Sequence, residues 1–526
     1  MEQHLSPLLQ GFLKRRQAAI APDQGLDEMV TINDAVGAVA FYYEKVRNVV
    51  EFNDEHLLRQ NAIRRILSRR LIFQQEQREV AMALLKELVR SRYFRNNAVP
   101  VSRVEEIVAI LGQFEGVASA LRRRNILSDQ EQSWLYAMAA CAIDETLSPM
   151  IEEEALIHLM YGVVVPTIQL STAQDPGEKI RKMQTYLAVY KVLMKPDIHR
   201  LRYFILKNRY PTWHWFGTEN PEVLAAQFRE VYMSVEDAIH HPLNKKLSIS
   251  MARFRIPFVV LHTVLKNNTE DLLLDAAALE KEVRRICEGF YNVQRRRLVR
   301  RTTRAFVYLF LTKMLLGLGM EIPYDLFFIG VIHWLPVVLN TVVPPIILVS
   351  IALSAPKPKK TNTDAIVQAI REIVYSGTER TIFIAQPQKI RRASVAMNAL
   401  FFIMYTATFV VSFGLVYWVL QELHFNWVSK VVFFAFLSLV TFFAVNLRRS
   451  ARELIIIRPK LNLITASLDL LILPVMKVGY WLSGNIAKIN IFVFIFDVLV
   501  EVPLQALIEI TEEWFSFIKE KKEELE

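Results

Sequence analysis

Cysteine is almost absent. Cys141 and Cys287 are the two in 526 residues, too few for a disulfide framework or a Cys-based zinc site. Glycine is scarce as well, 16 residues in all, which excludes collagen-like and Gly-rich disordered chains. Phosphate-cradling loops are missing: GxxxxGKS/T does not occur, and LLGLGMEI (315–322) lacks both the GxGxxG spacing and a preceding strand. Neither GxSxG nor HExxH is present, and the ten histidines are scattered. These absences speak against nucleotide engines and the common hydrolases, and they imply no catalytic residue, no cofactor and no metal.

What is present is apolar surface. Hydrophobic residues make up 52% of the chain and the mean hydropathy is +0.23, yet 22% of residues are charged. That is too apolar for a soluble protein and too charged for one wholly embedded in lipid. The two properties separate along the chain. Residues 1–304 carry 43 Lys/Arg against 36 Asp/Glu, and beyond them long apolar runs alternate with short charged connections. About 20 apolar residues cross a bilayer core. Four stretches qualify: 305–322, 326–353, 393–420 and 427–447. The second is expected to be broken by Pro336 and by Pro344–Pro345, and Tyr324, Trp418 and Trp427 sit near span ends as interfacial anchors.

Orientation follows from the basic residues. Arg295, Arg296, Arg297, Arg300, Arg301 and Arg304 immediately precede the first span. The 354–392 loop holds eight Lys/Arg against three acids, and 448–460 holds five against one. The opposite connections carry only Glu321 and Asp325 in one and Glu422 in the other. The positive-inside rule then places the N-terminal domain, both basic loops and both termini in the cytoplasm, as expected of an inner-membrane protein. No secretory signal is recognisable in the first twenty residues.

Two later stretches are ambiguous. Residues 461–483 are apolar enough to span but contain Asp469, Pro474 and Lys477. From Ile491 an amphipathic helix is expected, with Asp497, Glu501, Gln505, Glu509, Glu512 and Glu513 on one side. Either the pair forms a third transmembrane hairpin or it lies on the cytoplasmic interface. The second arrangement is favoured, because so long an acidic stripe is costly in lipid.

Residues 30–300 read as helix after helix: 35–52, 55–95, 101–123, 129–147, 178–194, 221–240 and 272–293. A strand pattern is confined to a possible hairpin, EIVYSGTERTIFIA (372–385). The fold class expected is all-α. A large cytosolic helical domain (1–304, with a subdomain boundary near 171–177) precedes a multi-pass helical domain (305–460). Residues 461–526 form amphipathic or re-entrant helices with an acidic tail. The count is four spans, or six if the last two stretches cross.

Three groups of residues invite a chemical reading. Glu154–His158 and Glu236–His240 place carboxylate and imidazole on one helical face, but with a spacing unlike the Glu-x2-His of diiron bundles. The basic–aromatic run HRLRYFILKNRYPTWHWF (199–216) fits core packing of Tyr203, Phe204, Trp213 and Trp215 better than a membrane surface, and a nucleic-acid surface least. Arg59, Arg64, Arg65, Arg69 and Arg70 spread around a helix and are expected to be solvated or paired with Glu51, Asp54, Glu55 and Glu76.

In the apolar half the unusual residues are Lys313, His333, Asp469, Lys477, Asp497 and Glu501. An ionisable group inside a span is a functional candidate by default, although Lys313 has length enough to snorkel. The function expected is a non-enzymatic scaffold: a cytosolic domain held at the bilayer to bind a protein partner or anionic lipid headgroups through the arginine belt 295–304. A small-solute or ion transporter or channel is the alternative, joining these six groups to a broken second span as its site. A membrane-bound metal-dependent enzyme comes third.

Overall fold

The structure, a computed structural model, describes residues 5–19, 28–32, 57–70, 76–169, 177–217, 219–267, 270–376, 382–383, 395–457 and 463–488. The expected helix at 35–52, the boundary stretch 171–176 and the amphipathic segment from Ile491, with Asp497 and Glu501, lie outside these residues. Described residues are overwhelmingly helical and fall into two compact units. Of the described residues, one holds those within 7–252 together with 382–383, and the other those within 253–376 and 395–488 together with 5–6.

In the N-terminal unit the helices are α1 (Pro7–Ala19), α2 (Leu58–Arg70), α3 (Gln77–Arg90), α4 (Arg103–Arg123), α5 (Asp129–Leu147), α6 (Ile151–Val164), α7 (Glu178–Met194), α8 (Ile198–Arg209), α9 (Pro221–His240) and α10 (Pro242–Met251). Their ends follow local chemistry. Ser128 and Glu131 form a capping box at α5, Asp197 caps α8, and Asn220 followed by Pro221 opens α9. Helix α5 is the centre, with every residue from Trp134 to Asp144 buried and α2, α4 and α8 packed around it. The expected hairpin at 372–385 does not form. Glu372–Ser376 is a π-helical turn, and Ile382–Phe383 (β2) pairs in parallel with Ile168–Gln169 (β1).

The second unit contains α11 (Arg255–Asn267), α12 (Ala276–Leu316), α13 (Trp334–Leu353), α14 (Lys360–Arg371), α15 (Val395–Glu422), α16 (Trp427–Ala451) and α17 (Leu463–Lys488). Asp275 caps α12, and no break interrupts its 41 residues, so the arginine belt and the first apolar stretch share one helix. Helix α16 lies between α13 and α17, with α12 and α15 completing the bundle. Buried positions on α16 (Ser429, Phe433, Leu437, Val440, Ala444, Leu447) recur every three or four residues, a single face. Helix α14 docks its apolar face on α11 and α12, and Asn362 bonds Tyr291 and the backbone of Leu454, Ile456 and Ile457.

Five segments are long and apolar enough to cross a membrane: Pro242–Asn267, Ala276–Ile329, Trp334–Leu353, Phe402–Glu422 and Trp427–Ala451. This marks the chain as a membrane protein. Four of them coincide with stretches read from the sequence; Pro242–Asn267, weakest in hydropathy, was not among those.

The limits of the first two spans need correction. Helical structure continues from Leu316 through a π-turn (Gly317–Glu321), Ile322–Tyr324 and a second π-turn (Asp325–Ile329), beyond the expected limit at Ile322, and it stops at Gly330, whose φ is +80°. The second span starts at Trp334 and is not broken. Pro336 lies in its first turn, and Pro344–Pro345 sit inside a continuous helix. Pro336, Asn340, Pro344, Leu348 and Ala352 recur every fourth residue and form the buried stripe of α13. The prolines are thus packed within the bundle, where freed carbonyls are tolerated.

Candidate functional site

The sequence-derived site residues separate into a belt and a network. All six belt arginines are exposed on α12, and none has an ion-pair partner among the described residues. At 100° per residue Arg296, Arg297, Arg300, Arg301 and Arg304 share an arc of about 140°. Gln294, just before them, donates to the Ser450 carbonyl at 2.8 Å, so the belt starts beside the C-terminal end of α16.

Lys313 lies nine residues beyond Arg304, about 14 Å along the helix axis at 1.5 Å per residue. That is near the middle of a hydrocarbon core of about 30 Å. It does not snorkel. Its side chain is 1% exposed, its Nζ donates to Asn340 Oδ1 at 2.5 Å, and it sits 4.3 Å from the centre of the Phe436 ring. Asn340 in turn donates through Nδ2 to Glu321 Oε1 and, at 3.4 Å, to the Ser429 carbonyl. Ser429 Oγ donates to Glu321 Oε2 at 3.3 Å.

A second carboxylate extends the network. Asp325, also 1% exposed, accepts from Asn426 Nδ2 at 2.6 Å and from the His333 backbone N–H at 3.0 Å. The His333 ring stands at its edge, Nδ1 3.7 Å from Asp325 Oδ2, with 42% of the side chain exposed. Asn426 also caps α16, its Oδ1 accepting the Ser429 N–H at 2.7 Å, which joins the two carboxylate clusters.

The backbone explains how these residues meet. Lys313 and Glu321 are eight apart, but the π-turn at Gly317–Glu321 absorbs one residue. Eight residues then wind as about seven, some 20° short of two full turns, so lysine and glutamate share a face. Asp325 follows one turn later. The sequence placed Glu321 and Asp325 in an exposed loop; the structure buries both. Of the network, Lys313 and His333 were singled out from sequence, while Glu321, Asp325, Asn340, Asn426 and Ser429 were missed.

The other candidates do not join it. Asp469 is half-exposed and pairs with Arg448 at 3.2 Å, and Lys477 is exposed, 4.8 Å from the centre of the Tyr405 ring.

In the N-terminal unit several basic residues hold helices together. Arg59 and Arg200 both hold buried Asp144, Arg69 is bidentate to Glu87 at 2.8 Å, and Arg202 is bidentate to Glu236. Arg59 and Arg69 thus reach acids on other helices, while Glu51, Asp54 and Glu55, expected partners of this arginine run, lie outside the described residues. Tyr203, Phe204 and Trp213 are core residues, as the sequence suggested, but Trp215 is 54% exposed.

Glu154 carries Lys207 and Glu236 carries Arg202, so neither Glu–His pair is laid out for a metal. Among the described residues no cluster of three or more His, Cys, Asp or Glu has metal-binding geometry. A cavity of about 30 Å³ lined by Cys141, Glu145, Tyr190, Arg200 and Lys207 has room for one water. Burial pushes the Cys141 thiol well above its usual range, and Tyr190 likewise, so both stay protonated and unreactive. No family model matches the chain, and neither does any curated protein or solved structure.

Proposed function

We propose that this chain is a multi-pass protein of the inner membrane, non-enzymatic, that holds its helical N-terminal half in the cytoplasm and seats it on anionic lipid headgroups through the arginine belt. One observation carries this reading: a continuous helix presents six exposed arginines, none ion-paired among the described residues, immediately before it enters an apolar bundle. Paired arginines would be structural, as Arg59, Arg69, Arg200 and Arg202 are. Unpaired ones on a helix bound for the bilayer gain on the order of 1 kcal/mol each beside an anionic leaflet. The orientation is the one favoured by the positive-inside rule, with Gly330–His333 and Leu423–Asn426 on the far side. The close packing around Lys313, Glu321 and Asn340 fits an anchoring bundle.

Spin-labelled lipids around the reconstituted full-length protein test this. Phosphatidylglycerol should be enriched over phosphatidylcholine in the motionally restricted shell, the enrichment should fall with added salt, and replacing Arg296, Arg297, Arg300, Arg301 and Arg304 with Gln should abolish most of it. Equal restriction of both lipids in the unaltered protein refutes the reading. A carrier of small solutes or ions is the second reading, favoured by the charged groups buried at mid-membrane depth.

A further inference from the structure

The buried network does not balance its own charge. Lys313 contributes one positive charge, while Glu321 and Asp325 contribute two negative ones, and all three side chains are 1% exposed. An uncompensated charge at such depth is costly without a partner or water. Among the described residues no other cation is placed to cancel it. Helix α13 has no ionisable residue from Trp334 to Leu353. On the first turns of α16 the charged residue is Lys430, engaged with Gln421 and lying 4.8 Å from the centre of the Tyr417 ring. Glu422, the last residue of α15, and His424, in the turn before α16, are exposed. What remains is His333, at the mouth of the network with its ring 3.7 Å from an Asp325 oxygen.

We propose that the Lys313–Asn340–Glu321–Ser429–Asn426–Asp325 network is a binding site for one proton, loaded through His333 from the aqueous face opposite the arginine belt. The proton comes from water and forms one N–H bond on the imidazole or one O–H bond on the Asp325 carboxyl; no other bond changes. With it the network, His333 included, sums to zero charge.

The site suits a proton better than a metal ion. Each carboxylate oxygen already accepts a hydrogen bond: Glu321 from Asn340 and Ser429, Asp325 from Asn426 and the His333 backbone. A sodium ion would have to displace several of these donors to collect its oxygen ligands, whereas a proton needs one lone pair. Imidazole is also the side chain that changes charge near neutral pH. Access is one-sided, since His333 is half-exposed at the Gly330–His333 turn while Lys313 closes the inner end.

The full-length protein in lipid nanodiscs, followed by infrared difference spectroscopy through a pH titration, tests the site. The unaltered protein should take up one proton near neutral pH, with imidazolium or carboxylic-acid bands that disappear in H333Q or D325N respectively. D325N leaves one acid against one lysine, so its network uptake should vanish. K313Q removes the network's own cation and should move uptake to higher pH by about one unit or more. Retention of the native helical spectrum in each variant separates loss of the site from loss of the fold. An unaltered titration in both D325N and K313Q overturns the proposal. So does a network whose spectrum responds to sodium at constant pH but not to pH. Lipid enrichment at the belt is independent of these results.

Discussion

His199 illustrates how a single side chain ties pH to stability. Burial, more than the neighbouring Arg64, pushes its imidazole down to about 4, and burial also pushes His158 and His214 below their ordinary value. Its Nδ1 is buried with no hydrogen-bond partner among the described residues. In the unfolded chain these imidazoles take a proton near pH 6.5, as free histidine does. Between about pH 6.5 and pH 4 the unfolded state therefore binds more protons, and stability falls as the pH falls through that window. Thermal unfolding should show Tm decreasing on acidification from about pH 7 to pH 5. H199Q should flatten this slope, and a slope unchanged by the substitution would mean that His199 is not buried neutral. Lys207 has the opposite logic. Burial alone would lower its affinity for protons, but Glu145 and Glu154 outweigh that and raise it.

At the scale of the helix, close approach is set by the absence of a side chain. Gly479 of α17 lies against α16 so tightly that a Cβ there would stand 2.9 Å from Phe442 Cβ, in addition to colliding with the Ser438 carbonyl. Gly484, five residues on, has nothing within 4 Å of the same position. G479A should force the two helices apart and destabilise the bundle by about 1–3 kcal/mol. G484A should be neutral or slightly stabilising, since alanine is the better helix former. Equal Tm values for the two variants would show that the α16–α17 contact is looser than described. The π-turns act at the same scale and account for what the sequence hid. A reader winding 315–326 at 3.6 residues per turn meets glycines, Pro323 and two acids and concludes that a loop begins there. The helix instead widens for one turn, keeps its hydrogen bonds, and carries Glu321 and Asp325 inward. Asn340, Asn426 and Ser429 carry no signal of their own, because a lone polar residue in an apolar run acquires meaning only from a partner on another helix.

For the whole molecule, apolar length was the legible property. Helices α5, α7 and α9 have the limits read from sequence, since Ser128, Gly177 and Asn220–Pro221 punctuate them locally. Four crossing segments were equally plain, because twenty apolar residues have few other uses. Partners were not legible: Arg59 reaches Asp144 across 85 residues, and nothing in either neighbourhood announces the other. Membrane sidedness is open to a direct measurement. Cysteines introduced at Val331 and His424, both exposed in the turns opposite the belt, should react with an impermeant maleimide added outside cells, and one at Thr361 should not. Cys141 and Cys287 are buried and give little background. Labelling of Thr361 from outside would invert the orientation.

The unbroken course of α12 from Ala276 to Leu316 adds a constraint of phase. Counted at 100° per residue, Lys313 points about 170° away from the centre of the arc shared by Arg296–Arg304. A stiff rod has one azimuth at a time. Whatever surface the arginines settle on therefore dictates the direction from which the lysine enters the bundle, and the first place where the two can slip relative to each other is the π-turn at Gly317, already beyond the lysine. Surface and interior are geared together by a single helix, so a twist at the headgroups is felt at mid-membrane without any intervening joint.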